Sequence, residues 1–311
     1  MQNLSNLREN YCILYIKWLL NIFISYIINT LNKKPYKGER KMKKVIVIML
    51  VCILAIACVF GAGCGSNKPT LYVYTNAGFA PYEYINEYNE VVGVDMDIMR
   101  EVGDILGYNI VVSDIEFDLI LNEVQNNKMA VGAAGMTKRP DRDEVALSTI
   151  SYATSVQYAI VQKGVFIEAD LVGGKLPLAK LANLTKKGIG VQSGTTGHFM
   201  VDDAINSDVA EVAVLKNSGC NFTTYTNAIV ASNDIGITIG AVVIDKLPAK
   251  SICMSNSNLE CFELDAEPES YVIYVNKDAT ELCEKINDVL QLLIDNGTID
   301  YFTIKHSGGI A

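Results

Sequence analysis

A threonine and an arginine follow a short apolar segment, at a spacing suited to binding an anion. Met129–Ala134 is apolar and small, and we predict that it forms a buried strand ending at Gly135. Thr137 supplies a hydroxyl, and Arg142 follows five residues later, after a proline that favours a turn or a helix start. A guanidinium beside a hydroxyl and free backbone groups can bind a carboxylate through two parallel hydrogen bonds. From this stretch alone, a surface turn with a solvated arginine is an equal alternative.

Two later stretches offer complementary chemistry. Gln192–Gly197 is a Gly/Ser/Thr loop that opens a helix, so its backbone N–H groups around Thr196 suit an anion. Its spacing differs from GxxxxGK[ST], which argues against a phosphate-binding P-loop. The apolar strand Ala241–Ile244 ends in Asp245, where a carboxylate at a strand end can meet a cation. A helix cap for Lys246–Lys250 is the simpler role for Asp245, and the two roles are compatible.

Five motifs occur in a fixed order and carry a family resemblance. Each is weak alone, but the ordered set resembles the extracytoplasmic solute-binding proteins (family 3, polar amino-acid type) of ABC transporters. The similarity extends from about residue 71 to about residue 301. The motifs are Thr75–Tyr84, Val92–Asp97, Gly135–Arg142, Val191–Gly197 and Ala241–Pro248.

The resemblance implies an α/β fold with two lobes. It is the type II periplasmic-binding-protein-like fold, in which each lobe is a mostly parallel sheet flanked by helices and two strands form the hinge. We expect lobe 1 to contain residues 71–157 with 271–311 and lobe 2 to contain residues 163–270. The expected hinge strands are 158–162 and 271–275.

The resemblance also implies how a free amino acid is held. Arg142 is expected to bind the ligand carboxylate, helped by the Thr137 hydroxyl and backbone N–H groups near Thr196. Asp245 is expected to bind the ammonium, with the Gly135 carbonyl beside it. Closure of the lobes around the ligand is then expected to create the form that a membrane permease recognises.

Three further residues are aligned with the ligand's side chain by the same resemblance. Phe79 is expected to stack on it, Phe117 to cover it, and Asn76 to face it where some members carry Asp. Because Asn76 is neutral, we predict a neutral polar ligand such as glutamine, serine or cystine over a cationic one, unless Glu83 or another acid reaches the side chain. An acidic ligand would need a second cation, such as Lys138 or Arg139.

Two other functions must be weighed against binding. Some proteins of this class are dehydratases, and others are ectodomains of membrane sensors. His198 is the single histidine in the motif loops and suits packing or the surface, and neither an HExxH motif nor zinc spacing occurs. We therefore predict no enzyme activity, catalytic residue, cofactor or metal. The end of the chain soon after Tyr301 argues against a sensor with an output domain.

The charge of the chain is divided unevenly. The formal net charge is −9, but residues 1–63 hold nine Lys or Arg and two Asp or Glu, which leaves 17 basic and 33 acidic residues in the remainder. An acidic body argues against nucleic acid as a partner, because phosphate binding needs basic patches.

The N-terminal part predicts export and anchoring. Basic residues from Met42, an apolar run to Ala62 and then Cys64 give a signal peptide (42–63) with a lipidation site and a tether (64–70). Residues 1–41 are interpreted as an extension upstream of the true start. We expect a monomer attached by its lipid to the outer face of the cytoplasmic membrane. Gly61 departs from the usual lipobox, and an uncleaved membrane anchor is the alternative.

Four cysteines remain in the body of the chain, at positions 220, 253, 261 and 283. Their spacing lacks CxxC, which argues against zinc. Cys253 and Cys261 are the nearest pair in sequence, and a disulfide and free thiols are both open.

Several local predictions can be compared directly with a structure. Asp95 is expected to cap a helix with apolar residues at helical spacing. We expect a second helix at Phe117–Asn126, a strand at Glu211–Leu215 and a helix at Thr223–Ser232.

Overall fold

The computed structural model describes residues 68–308. The predicted extension (1–41), the signal peptide and the lipidation site Cys64 lie outside the described residues. The part of the chain that begins at Lys68 forms one compact unit with two sheet-containing lobes.

The first lobe is built on a five-stranded sheet with the order β5-β1-β6-β15-β7. β1 is parallel to β5 and β6, whereas β15 is antiparallel to β6 and β7. Alternation along β1 buries Leu71 and Val73, which anchor the sheet to its core. The strands are β1 Thr70–Thr75, β5 Asn109–Asp114, β6 Ala130–Gly132, β7 Ala146–Ser148 and β15 Tyr274–Asn276.

Helices and a small three-stranded sheet complete this lobe. α1 buries Ile98, Met99 and Val102 on one face and ends where Gly107 adopts a left-handed conformation. The helices are α1 Val94–Leu106, α2 Ile120–Asn126, α3 Pro140–Asp143, α7 Thr280–Asp295 and α8 Thr298–Ser307. The small sheet contains β2 Gly78–Phe79, β3 Glu83–Ile85 and β4 Val91–Val92.

The second lobe is built on a five-stranded sheet with the order β11-β10-β12-β9-β13. β10 is parallel to β11 and β12, and β9 is antiparallel to β12 and β13. The strands are β9 Gln157–Gln162, β10 Gly188–Gln192, β11 Asn221–Tyr225, β12 Ile239–Asp245 and β13 Leu259–Glu263. The helices are α4 Thr196–Asn206, α5 Ala228–Asn233 and α6 Lys246–Ser255.

Two short strands pass between the lobes. β8 Ala153–Ser155 and β14 Glu269–Tyr271 pair antiparallel in a sheet of their own. The segment 158–162, predicted as a hinge strand, instead lies inside the second sheet because it bonds to a strand on each side. The segment 271–275 is divided between β14 and β15. The crossing is therefore shifted from the predicted position toward β8 and β14.

The structure contradicts the strand predicted at Glu211–Leu215 and shortens the helix predicted at Thr223–Ser232. Glu211–Leu215 forms turns, and Val212 and Val214 within it are exposed, so this apolar segment does not mark a half-buried strand. The strand in this region is β11, at the edge of the second sheet. The helix then begins at Ala228, after Asn227 caps it by accepting a hydrogen bond from the Val230 N–H at 3.0 Å.

Residues 117–126 contain a 3-10 turn, Phe117–Leu119, followed by α2. The four cysteines of the described part are free thiols, of which Cys220 and Cys283 are buried. No helix within residues 68–308 has both the length and the apolar character required to cross a membrane.

Candidate functional site

A cavity between the two lobes brings the sequence-predicted site residues together. The space between protein atoms there is about 310 Å³, and part of it is open to solvent. All eight predicted residues line it: Asn76, Phe79, Phe117, Gly135, Thr137, Arg142, Thr196 and Asp245. Four more residues share the wall: Glu83, Ala134, Gln192 and Thr195.

Arg142 is a buried residue of the cavity wall. It sits in α3, a single turn with Pro140 in its first position. Its guanidinium donates to the Thr137 carbonyl at 2.8 Å and, across the cleft, to the Gly194 carbonyl at 3.0 Å. The guanidinium carbon also lies 5.3 Å from the centre of the Phe117 ring. Among the described residues these bonds use two of five N–H donors, so donors remain for a carboxylate.

Asp245 lies buried where β12 ends. The Tyr271 hydroxyl donates to its Oδ1 at 2.6 Å. Burial, followed by the negative charge of Glu269, raises the pKa of Asp245 to about 7. A cation beside this carboxylate would favour its ionised form, so the group is suited to pair with an ammonium.

Glu83 is a second buried acid in the cavity wall, at the start of β3. Its side chain is buried, and within the described residues its Oε2 has no hydrogen-bond partner. Burial, and then the charges of Asp95 and Asp245, raise its pKa well above the usual range. An unpartnered acid of this kind is a strong site for a cationic group.

Asp95 has a different role from the predicted helix cap. The capping position is Gly93, one residue before α1 begins. The Asp95 carboxylate instead accepts from the Gly135 N–H at 2.9 Å and from the Tyr152 hydroxyl at 2.7 Å. Burial raises the pKa of Asp95 to about 6 despite these bonds. Asp95 therefore holds the loop that carries Gly135 in the cavity wall.

Gly135 is required by its surroundings as well as by its conformation. Its φ is +52°, and a Cβ there would lie 2.7 Å from a carbon of the Phe79 ring. The loop that follows β6 therefore lies directly against the Phe79 ring. Phe79 is itself buried and packs in a tilted arrangement with Tyr82.

Polar side chains join the lobes across the cleft. Gln192 donates to the Asn76 side-chain oxygen at 2.9 Å, and Ser193 donates to Asp118 at 3.0 Å. Together with the bond from Arg142 to Gly194, these contacts show that the lobes are closed on each other.

The sequence did not identify Gln192 and Glu269 as site residues. It identified Glu83 only as an acid that would favour a cationic ligand if it reached the ligand's side chain. Glu269 accepts hydrogen bonds from Thr137 at 2.6 Å and Thr196 at 2.8 Å. No motif marks Glu269, but Glu83 lies in the motif Thr75–Tyr84, and Gln192 is the first residue of the Gly/Ser/Thr loop.

A family of known proteins matches most of the chain. Residues 71–308 match the family described as "Bacterial extracellular solute-binding proteins, family 3". The chain belongs to this family. As a family 3 solute-binding protein, it has the type II periplasmic-binding-protein fold, in agreement with the two lobes and their sheets.

Several family members are named for arginine. This solute-binding protein is 23% identical over 266 residues to the arginine-binding extracellular protein ArtP of Bacillus subtilis, covering 83% of this chain and 96% of the relative. Among solved structures, an ancestral arginine-binding protein bound to arginine has a TM-score of 0.64 and 28% identity, covering 76% of this chain and 97% of the other. The same ancestral protein bound to glutamine gives the same TM-score and identity, covering 76% and 96%. These relatives are named as binding proteins.

Proposed function

We propose that this chain is the extracytoplasmic substrate-binding protein of an amino-acid ABC importer, and that it captures one free L-amino acid between its lobes. One observation carries the proposal. Arg142 from lobe 1 and Asp245 from lobe 2 are buried in one cavity and offer opposite charges. A free amino acid presents the matching pair, a carboxylate and an ammonium, both attached to its α-carbon.

Burial makes this pairing selective. A buried charge is tolerated only when it is fully paired and hydrogen-bonded. A ligand that lacks the carboxylate leaves Arg142 without its partner, and one that lacks the ammonium leaves Asp245 without its partner. Because the two groups belong to different lobes, a ligand that engages both stabilises the closed arrangement.

The ligand's side chain is selected by the residues of the cavity wall that face it. The neutral polar ligand predicted from Asn76 depended on the lack of an acid near the side chain. Glu83 lines the same cavity with an unpartnered oxygen, and it can supply a counter-ion. The names of the arginine-binding relatives point in the same direction. We therefore place arginine first, with glutamine as the neutral candidate favoured by Asn76.

The proposal also includes a lipid anchor for the chain and a membrane permease as its partner. Lipidation at Cys64 would tether a monomeric protein to the outer face of the cytoplasmic membrane. A permease of the ABC type would then receive the ligand from the closed form. The support is the family itself, whose members are extracellular solute-binding proteins, together with the signal-like sequence that precedes Cys64.

Equilibrium dialysis tests capture and turnover together. The chain from Gly65 onward is dialysed against an equimolar mixture of L-amino acids, and the retained molecule is identified by mass spectrometry. We expect about one unchanged amino acid per chain. Retention of none contradicts capture, and a chemically altered product supports the dehydratase alternative.

A matched pair of variants tests the side-chain assignment. Glu83→Gln removes the acid while keeping its shape, and Glu87→Gln alters an exposed acid nearby. We expect Glu83→Gln to weaken arginine at least about tenfold relative to glutamine. An unchanged ratio of the two dissociation constants, equal to that of Glu87→Gln, would return the preference to neutral polar ligands.

A further inference from the structure

Glu269 lies where the chain crosses between the lobes, as the first residue of β14. Its Oε2 accepts hydrogen bonds from the Thr137 hydroxyl at 2.6 Å and from the Thr196 hydroxyl at 2.8 Å. Its Oε1 accepts from the side-chain amide of Gln157 at 2.8 Å. One carboxylate therefore holds a hydroxyl from each lobe.

Glu269 reaches these hydroxyls from outside the amino-acid cavity. Thr137 and Thr196 line that cavity, but they also line an open cleft on the hinge side, which they share with Glu269 and Gln157. The two threonines thus form a thin partition between the spaces, with Glu269 on the outer side.

These hydrogen bonds determine whether the two hydroxyls donate to a ligand or accept from it. A threonine hydroxyl has one proton and two lone pairs, and an ionised carboxylate only accepts. Both protons point to Glu269, so lone pairs are what remain for the cavity side. Thr196 uses one of its lone pairs for Gln157, whose amide nitrogen lies at 3.2 Å. Hydrogen bonds to an ionised acceptor are stronger than neutral ones, so the orientation is well held.

We propose that Glu269 is a positioning residue that links the lobes and turns the Thr137 and Thr196 hydroxyls into acceptors for the ligand's ammonium. The Thr137 hydroxyl was expected to donate to the ligand carboxylate, and this proposal gives it the opposite role. The carboxylate is then bound by Arg142 and by backbone N–H groups. The link between the lobes requires no ligand, whereas the part that concerns the ammonium rests on the proposed function.

Small-angle X-ray scattering tests the link without any ligand. Glu269→Gln keeps the side-chain shape but removes the charge, and Glu267→Gln is the matched control because that acid is exposed in the same cleft. We expect a larger radius of gyration for Glu269→Gln than for the wild type, and an unchanged value for Glu267→Gln. Equal radii for all three proteins would overturn the link.

Ligand titration tests the acceptor role. For the captured amino acid, we expect Glu269→Gln to raise Kd about tenfold, which corresponds to the loss of about one charge-assisted bond. For the analogue in which the ammonium is replaced by hydrogen, we expect Glu269→Gln to change Kd less than about twofold. An equal loss for both ligands would overturn the acceptor role.

A second variant covers the case in which Glu269→Gln does not fold. Thr196→Val removes one hydroxyl from the link, and Thr196→Ser keeps it. We expect Thr196→Val to enlarge the unliganded protein and Thr196→Ser to restore the wild-type radius. If both variants match the wild type, the link is refuted. If no amino acid binds the wild type, the proposed function fails, and the scattering measurement still decides the link.

Discussion

Asn76 and Gln192 hold each other across the cleft, with the Gln192 amide nitrogen 2.9 Å from the Asn76 side-chain oxygen. The amide nitrogen of Asn76 donates to the Ile115 carbonyl at 2.7 Å. Asn76 thus joins the lobes in addition to lining the cavity. Its side chain uses both a donor and an acceptor, whereas an ionised carboxylate can only accept.

We expect Asn76→Asp to have two opposed effects. The new charge should improve the binding of cationic amino acids relative to neutral ones. A carboxylate facing the Ile115 carbonyl should also weaken closure for every ligand. Competition titrations with arginine and glutamine separate these effects, because the first changes the ratio of dissociation constants and the second changes both alike. An unchanged ratio would show that this side chain does not act on the ligand's side chain.

Arg142→Ala should abolish most of the binding energy. Removal of one partner from a buried pair costs about 3–5 kcal/mol, which is roughly a hundredfold to several thousandfold in Kd. Arg100→Ala is the control, because Arg100 is exposed on α1 and lies outside the cavity wall. Calorimetric titration gives the comparison, and wild-type affinity in Arg142→Ala would place the ligand elsewhere.

Affinity should increase as pH rises toward neutrality. An ammonium pairs with ionised Asp245, whose pKa is raised to about 7, so binding at lower pH must release a proton. We expect Kd to fall by up to about tenfold per pH unit between about pH 5 and 7. Asp245→Asn should bind more weakly and lose much of this slope. A wild-type slope in Asp245→Asn would assign the titration to Asp95 or Glu83, whose pKa values are also raised.

Without ligand, the folding stability of the protein should decrease as pH rises toward neutrality. An acid with a raised pKa in the folded state destabilises folding as pH rises from its unfolded value of about 4 to its folded value. For Asp95 and Asp245 this window ends at about 6 and about 7. Melting temperatures without ligand should therefore fall across it, and saturating ligand should reduce the fall. A flat unliganded curve would contradict burial of these acids as charged groups.

The sequence predicted the wall of the cavity better than its supporting contacts. Arg142, Thr196 and Asp245 each follow a recognisable strand end or loop, and each lobe presents such residues at the edge of its own sheet. Asp95 was assigned to its own helix because local spacing fits a cap. In the folded protein its carboxylate is bound by Gly135, which is 40 residues away. Local patterns carry no information on such contacts.

The crossing strands show the same limit. The apolar segment Gln157–Gln162 indicates a buried strand, but not which sheet contains it. Only pairing with Ile239–Asp245 and Leu259–Glu263 places it in the second lobe. Glu269 is one of several acids in its stretch of sequence, and its partners Thr137 and Thr196 come from segments more than 70 residues away.

Acid should weaken the attachment of α8 to α1 through Asp97. Burial alone would raise the pKa of Asp97, but hydrogen bonds from His306 and Lys305 outweigh it and lower the pKa to about 2. A lowered pKa gives stability above the unfolded value of about 4, and this stability is lost as pH falls to about 2.

Substitution of Asp97 measures the size of this attachment at neutral pH. We expect Asp97→Asn to cost about 1–2 kcal/mol after allowance for solvent screening, which lowers the melting temperature by roughly 3–6 °C. Asp104→Asn is the control, since Asp104 is exposed on the same helix. Equal melting temperatures for the two variants would show that the cluster contributes little.

The position of a bound amino acid is the most direct test of capture between Arg142 and Asp245. A crystal structure of the chain from Gly65 onward with its captured ligand should place the ligand carboxylate on Arg142 and the ammonium on Asp245, with the side chain directed toward Glu83 and Asn76. A ligand bound outside this cavity, or one whose carboxylate and ammonium contact neither Arg142 nor Asp245, would contradict it.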